Sequence, residues 1–286
     1  TPPPFPLAAL FHPTGPSPSA WHTLPPTLLL AFLLRWSTAL WPHSGAAQPP
    51  LFGDFEAQRH WIELTSHLPT SHWYFHDLPW WGLDYPPLTA YHAWALGRVA
   101  RAAGAPDVWF ALYHSRGCEA PALKAFMRAS VAASEALIYT PAILACTRHL
   151  GHIAGSSPRD TAVAVAAILL HPATTLIDHG HFQYNTVMLG LAAAALAAVL
   201  ARRPAWACVA FVAALGFKQM ALFYAPALAA YLAGSCIVPH ARPRRFAALA
   251  AATLTSLALL YAPLLLGAAW DAHRGIALPA SAQPPP

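Results

Sequence analysis

The run FAALAAATLTSLALLYAPLLLGAA, from Phe246 to Ala269, contains no charged residue. About 20 apolar residues are enough for a helix to cross the roughly 30 Å hydrocarbon core of a bilayer. Six further apolar runs with few charges precede it: Leu24 to Trp41, Ala125 to Thr147, Thr161 to Ile177, Val187 to Ala201, Ala205 to Phe217 and Ala221 to Val238. The sequence therefore predicts an all-α polytopic membrane protein with about seven transmembrane helices.

The composition excludes a soluble globular protein. Of the 286 residues, 57% are apolar and only 9% are charged, against roughly a quarter charged in soluble domains. The net charge of +5 is dispersed between the apolar runs, so no basic face for nucleic acid is expected. Four cysteines stand apart without a CxxC pair, which argues against a zinc site or a disulfide framework. We expect one membrane module over residues 24–269, between disordered tails at 1–23 and 270–286.

The orientation of the chain follows from its arginines, because Lys and Arg in short loops stay on the cytoplasmic side. With a cytoplasmic N-terminus, the short loops that carry arginine all fall on one side; they hold Arg148, Arg159, Arg202, Arg203, Arg242, Arg244 and Arg245. The long loop 42–123 and the segment 178–185 then lie on the opposite side. Every acidic residue except Glu135 and Asp160 is on that side too, so any chemistry is predicted there.

The long loop 42–123 is rich in aromatic residues, which favour the interface between membrane and water. Helical spacing predicts one helix over Asp54–Ser66 and a second over Leu88–Ala103, which begins directly after two prolines. We expect both helices to lie along the bilayer surface. In the first, the apolar side chains lie opposite a polar set made up of Glu56, Arg59, His60 and Glu63.

The first cluster of polar residues is GDFEAQRHW, Gly53–Trp61. Asp54 is a candidate general base there, and Arg59 or His60 is a candidate partner for a phosphate group. The alternative is a capped helix, in which Asp54 is the N-cap and Glu56 favours the positive N-terminal end. The residues themselves leave both interpretations open.

The second cluster is WWGLDYPPLTAYH, Trp80–His92, which contains Asp84 and Tyr85 and is followed later by SRG, Ser115–Gly117. A rigid Pro-Pro turn with aromatic anchors explains this pattern without any ligand. The cluster is therefore a candidate site only in combination with the others.

The third cluster is DHGHFQYN, Asp178–Asn185, in which His179 and His181 follow an aspartate. This pattern resembles metal ligation, although hydrogen-bonded imidazoles at a helix junction are more common. Lys218 interrupts an apolar stretch, and a cation near membrane depth indicates a functional site unless it snorkels to the interface. The topology sends these clusters to one face, where carboxylates, imidazoles and cations can converge on an anionic, lipid-borne substrate.

Together these motifs resemble the eukaryotic glucosyltransferases of asparagine-linked glycosylation that use dolichyl phosphate glucose. The matching strings are GDFEAQRHW (Gly53–Trp61), WGLDYPPLTAYH (Trp81–His92), SRG (Ser115–Gly117), KAFMR (Lys124–Arg128), DHGHFQYN (Asp178–Asn185) and FKQMALFYAP (Phe217–Pro226). Their length and order make a chance match improbable. The form GDFEAQRHW favours the members that add the first glucose.

The resemblance implies a GT-C type enzyme of the endoplasmic-reticulum membrane with a lumenal active site, embedded in membrane lipid. It implies an inverting transfer from dolichyl phosphate glucose to the dolichyl-diphosphate-linked oligosaccharide, with Asp54 as the general base. No metal or nucleotide cofactor is implied. The candidate residues for substrate binding are Glu56, Arg59, His60, Asp84, Tyr85, Arg116, Asp178, His179, His181, Gln183, Lys218 and Gln219.

The chain also departs from this family. Family members carry additional C-terminal spans, and the resemblance ends near Pro263, so we expect an incomplete groove for the donor lipid and no activity from this chain alone. One alternative is a mannosyltransferase that uses dolichyl phosphate mannose, since such enzymes can contain a similar DHGHFQYN string. Others are a lipid transporter or scramblase, although no internal repeat is present, and a non-catalytic membrane scaffold.

Overall fold

The computed structural model describes residues 20–267, 269 and 271. Within this part of the chain every regular element is helical and no strand occurs, which confirms the predicted all-α class. The predicted tails lie outside the described residues, apart from residues 20–23, which form the first turn of a helix, and Asp271.

The helices follow the predicted apolar runs. They are α1 Ala20–Ala39, α2 Gly53–His67, α3 Pro87–Ala102, α4 Pro121–Ala154, α5 Pro158–Leu169, α6 Asn185–Leu200, α7 Pro204–Phe217, α8 Ala225–Ile237 and α9 Pro243–Leu265. A π-helix, Thr175–Phe182, precedes α6, and a 3₁₀-helix, Gln219–Tyr224, precedes α8. Five of the helices, α3, α4, α5, α7 and α9, begin at a proline, because the first helical position needs no N–H donor.

Four helical segments in the described residues are long and apolar enough to cross a membrane: α4, Pro158–Phe182, Gln219–Ile237 and α9. The apolar helices α6 and α7 are shorter and pack against each other, and α6 also packs against α4. A Cβ atom at Gly190 would lie 2.7 Å from the Cα atom of Tyr139. Glycine therefore allows α6 to approach the π-helical turn Glu135–Tyr139 inside α4.

The bounds of α2 and α3 agree with the prediction within a residue or two. Helix α2 is covered by the rest of the protein. Every residue from Phe55 to Thr65 is buried, on the polar side as well as the apolar side. The long loop is thus a folded layer in which α2 packs against α3 and the π-helix. Phe55 contacts Phe182 edge to face, with ring centres 5.0 Å apart.

Candidate active site

Asp54 lies in the first turn of α2, and its carboxylate faces the DHGHFQYN segment. His181 Nε2 is 2.8 Å from Asp54 Oδ2, and Gln183 Nε2 donates a hydrogen bond to the same oxygen. Among the described residues, Oδ1 has no hydrogen-bond partner, and the side chain is 29% exposed. The capped-helix interpretation is wrong for Asp54, because the N-cap position is Phe52 and no side chain caps the helix. Asp54 therefore keeps one accessible oxygen for a ligand.

Lys218, immediately after α7, contacts the same segment. Its Nζ donates to Asn185 Oδ1 at 2.7 Å and to Gln183 Oε1 at 3.4 Å, and it lies 4.7 Å from the ring centre of Tyr85. The residue is only 7% exposed, so it does not snorkel. No carboxylate in the described part of the chain lies within 4 Å of it, so its charge is not neutralised by an ion pair.

Gln183 connects the acidic and the basic group. Its amide nitrogen contacts Asp54 and its amide oxygen contacts Lys218. The predicted convergence of Asp54, His181 and Lys218 is therefore present in the structure, although these residues are far apart in sequence.

Two other predicted site residues border this group. Asp84 is exposed, close enough to Asp54 and Lys218 to interact electrostatically, and partial burial raises the pKa of its carboxyl group. Burial raises the pKa of the adjacent Tyr85 hydroxyl to about 12, and the Tyr85 ring contacts Lys218. A third predicted residue, Gln219, is exposed and follows Lys218 in the chain.

Asp178 is fully buried and positions neighbouring site residues through its hydrogen bonds. Its carboxylate accepts hydrogen bonds from Asn185 N and Nδ2, both at 3.0 Å, and from Thr186 N at 2.6 Å. These bonds fix the start of α6 and orient Asn185 toward Lys218. In this position the Asp178 carboxylate contacts the start of α6.

Arg59, the predicted phosphate partner, lies in a closed network inside the loop layer. All five of its N–H donors have protein acceptors, which are the two Glu56 oxygens, Glu63 Oε2, Ser115 Oγ and Trp109 O. Burial disfavours the Glu63 carboxylate, but hydrogen bonding and charge from His60 and Arg59 lower its pKa to about 2. Arg59 cannot bind a phosphate without breaking this network, so the structure gives it and Glu56 a structural position.

His60 and Arg116 are likewise directed to other partners. His60 is fully buried, with Nδ1 3.3 Å from Glu63 Oε2. Arg116 pairs with Asp77 and stacks 4.8 Å from the ring centre of Trp80. The structure brings neither residue to Asp54.

The two histidines of the HxH pair contact different carboxylates. His181 binds Asp54, whereas His179 Nε2 lies 2.7 Å from Glu135 Oε2 inside the bundle. Glu135 also accepts from Arg35 Nε at 2.7 Å. Sequence reasoning missed this triad, although two opposite charges in neighbouring apolar runs were a usable signal, since buried charges in a membrane pair with one another. Within the described residues, no group of three or more His, Cys, Asp or Glu is arranged to hold a metal.

The fold and the site define a polytopic α-helical membrane protein, with a carboxylate, imidazole and lysine site where its loop layer meets the helix bundle. The chain belongs to the ALG6, ALG8 glycosyltransferase family, whose model matches residues 28–274. This confirms the resemblance seen in the sequence motifs.

Individual relatives give the same result. The chain is 47% identical over 262 residues to the dolichyl pyrophosphate Man9GlcNAc2 alpha-1,3-glucosyltransferase of Saccharomyces cerevisiae, covering 91% of this chain and 48% of the yeast protein. It is 42% identical over 253 residues to the protein of the same name from Mus musculus, covering 86% and 49%. It is 46% identical over 215 residues to a probable enzyme of this name from Arabidopsis thaliana, covering 73% and 40%. The chain thus spans about half the length of the curated relatives it matches.

Proposed function

We propose that the protein transfers glucose from dolichyl phosphate glucose to dolichyl-diphosphate-linked Man9GlcNAc2, forming an α-1,3 linkage on the lumenal side of the endoplasmic-reticulum membrane. The acceptor and the linkage are those in the names of the relatives. The donor is the one implied by the motif resemblance. The observation that carries the proposal is the Asp54 carboxylate, in which His181 and Gln183 hold one oxygen and the other has no hydrogen bond among the described residues. It lies close to Lys218, which is buried and has no ion pair in the described part of the chain.

In the reaction, Asp54 Oδ1 accepts the proton of the acceptor hydroxyl while the hydroxyl oxygen attacks the anomeric carbon of glucose. The bond from that carbon to the phosphate oxygen breaks, and dolichyl phosphate leaves with the electron pair. Attack from the side opposite the leaving group converts a β-linked donor into an α-linked product. His181 and Gln183 hold the other carboxylate oxygen, which fixes the direction of Oδ1.

Lys218 supplies the complementary charge. The donor is a phosphodiester with one negative charge, and the leaving phosphate monoester gains a second. A buried cation aimed at this developing charge stabilises the transition state, because its interaction is screened less than in water. The absence of an ion-pair partner for Lys218 within the described residues leaves that charge available.

The proposal is tested with Asp54→Asn in the complete gene product, expressed in cells that lack the endogenous enzyme. The readout is glucose transfer from dolichyl phosphate glucose to the lipid-linked oligosaccharide, with dolichyl phosphate mannose as the competing donor. Loss of general-base catalysis lowers the rate about 100- to 10,000-fold. The matched control is Asp107→Asn, an exposed carboxylate of the same loop, which leaves the rate unchanged.

Near-normal transfer by Asp54→Asn would remove Asp54 as the base. Transfer of mannose in place of glucose by the unmutated protein would favour the mannosyltransferase alternative. No sugar transfer at all would support a transporter or scaffold.

A further inference from the structure

Three ionisable side chains meet inside the helix bundle and have no part in the proposed reaction. Arg35 on α1, Glu135 in the π-helical turn of α4 and His179 on the π-helix are all buried. Arg35 Nε lies 2.7 Å from both Glu135 oxygens, and His179 Nε2 lies 2.7 Å from one of them. Ionisable groups at membrane depth are costly to bury, so this triad calls for a role.

The triad holds the segment that carries the donors of Asp54. Besides the contact of His181 with Asp54 and the hydrogen bonds of Asp178, three contacts fix the turn at the end of the π-helix Thr175–Phe182. Glu135 holds the His179 side chain, Arg128 donates to the carbonyls of His179 and Gly180, and Ser44 N donates to the carbonyl of His181 at 3.2 Å. Of these three partners, Glu135 holds a side chain of the turn, whereas Arg128 and Ser44 bind its backbone carbonyls.

Two members of the triad, Glu135 and His179, lie in π-helical turns. Glu135 is the first residue of the π-helical turn Glu135–Tyr139, and His179 is within the π-helix Thr175–Phe182. Such wider turns are rare and often occur at functional sites. Here they bring a carboxylate of α4 and an imidazole of the site segment into direct contact.

We infer that Glu135, oriented by Arg35, is a positioning residue for Asp54. Arg35 Nε contacts both oxygens of the Glu135 carboxylate and so fixes its direction, and Oε2 also binds His179, which immobilises the turn that presents His181 and Gln183. When this anchor is lost, the two donors move away from Asp54 Oδ2, and Oδ1 is no longer directed at the acceptor hydroxyl. The role rests on the proposed function of Asp54.

The first test is Glu135→Gln in the complete gene product. The substitution keeps the shape but removes the charge that attracts Arg35 and His179. We expect kcat to fall about 100-fold, as for a displacement of about 1 Å at a reacting group, with little change in KM for either lipid substrate. In a His181→Ala background, Glu135→Gln should cause a smaller further loss, because only the hydrogen bond from Gln183 remains to be disturbed. Losses that simply multiply, or an unchanged kcat, would overturn the inference.

A second variant separates loss of positioning from loss of folding. Arg35→Met combined with Glu135→Leu replaces the pair with apolar groups of similar size, and such replacements are often tolerated in buried sites. It should accumulate normally but still show the low kcat. Asp160→Asn is the control: it removes the carboxylate of the capping box that begins α5, remote from the π-helix. It should alter stability without altering kcat.

Hydrogen–deuterium exchange separates the inference from the proposed function. Residues 178–185 should exchange faster in Glu135→Gln than in the unmutated protein in the same lipid nanodisc, whether or not glucose is transferred. Unchanged exchange would refute the anchoring role by itself. Absence of transfer by the unmutated protein would instead refute the proposed function.

Discussion

Lys218→Met removes the buried charge at the site and nearly preserves side-chain length. In the native protein, the ammonium group is held by Asn185 Oδ1 and Gln183 Oε1 and lies over the Tyr85 ring. A methionine at this position keeps the apolar stem in place. The variant therefore reports on charge alone, with the two amide acceptors left to rearrange or bind water.

The size of the effect follows from Coulomb's law. Two unit charges about 4 Å apart interact by about 4 kcal/mol at an effective dielectric constant of roughly 20, a suitable value for a residue as buried as Lys218. This energy applies to the single charge of the donor phosphodiester and should appear as a large increase in KM. If about half of the second charge has developed at the transition state, about 2 kcal/mol more is lost, which corresponds to a fall in kcat of about 30-fold.

The assay is glucose transfer by the purified complete gene product in nanodiscs, with donor and acceptor concentrations varied separately. KM for the donor should rise while KM for the acceptor stays nearly constant. The control is Lys124→Met, because Lys124 is the only other lysine of the chain and its ammonium group binds the carbonyls of Leu40 and Trp41. A Lys218→Met enzyme with native kcat and donor KM would refute the electrostatic role.

Two further predictions concern the loop layer. Against the opposing effect of burial, hydrogen bonds and charge from His60 and Arg59 lower the pKa of Glu63 from 4.5, its ordinary value, to about 2 in the folded protein. Its ionised form therefore adds about 3 kcal/mol of stability above pH 4.5, and this stability is lost as the pH falls toward 2. Unfolding followed from pH 6 to 2.5 should show the loss, and Glu63→Gln should show a flatter profile. Gly117→Ala should lower the free energy of unfolding by about 1–3 kcal/mol, since φ is +67° and a Cβ atom would lie 2.5 Å from the Phe52 ring. Gly104→Ala, with φ +74° but no atom within 4 Å, should cost less, and equal losses would contradict the steric argument.

The helices could be predicted from the sequence because the requirement is local. A run of apolar residues long enough for the bilayer must form a helix to satisfy its own backbone, and prolines mark where several of these helices begin. The juxtaposition of Asp54 with His181 could also be predicted, because counting spans places both segments on the same side of the membrane.

The surroundings of α2 could not be predicted in this way. Helical spacing shows that Arg59 and Glu63 share one side of the helix, but it does not show what covers that side. The i, i+3 and i, i+4 spacing of Glu56, Arg59 and Glu63 was compatible with internal ion pairs, yet charged residues in a loop are usually exposed. Only the tertiary packing of α3 and the SRG segment reveals that they are buried.

The π-helical segments could not be predicted from the sequence pattern either. A change of hydrogen-bond register by one residue leaves the apolar composition unchanged, so Glu135 could not be assigned to His179 among the possible partners. The opposite charges of Arg35 and Glu135 in consecutive apolar runs suggested that these two pair, but the sequence does not show that His179 joins them.

The bridge made by Gln183 has a further consequence. If Lys218 and Asp54 formed a direct ion pair, each would neutralise the charge of the other, and neither a proton acceptor nor a free cation would remain. A primary amide can satisfy an anion at one end and a cation at the other while carrying no charge itself. Gln183 thus separates Asp54 from Lys218 so that they do not form an ion pair, and replacing it with glutamate would place a second carboxylate beside Asp54 and pair it with Lys218.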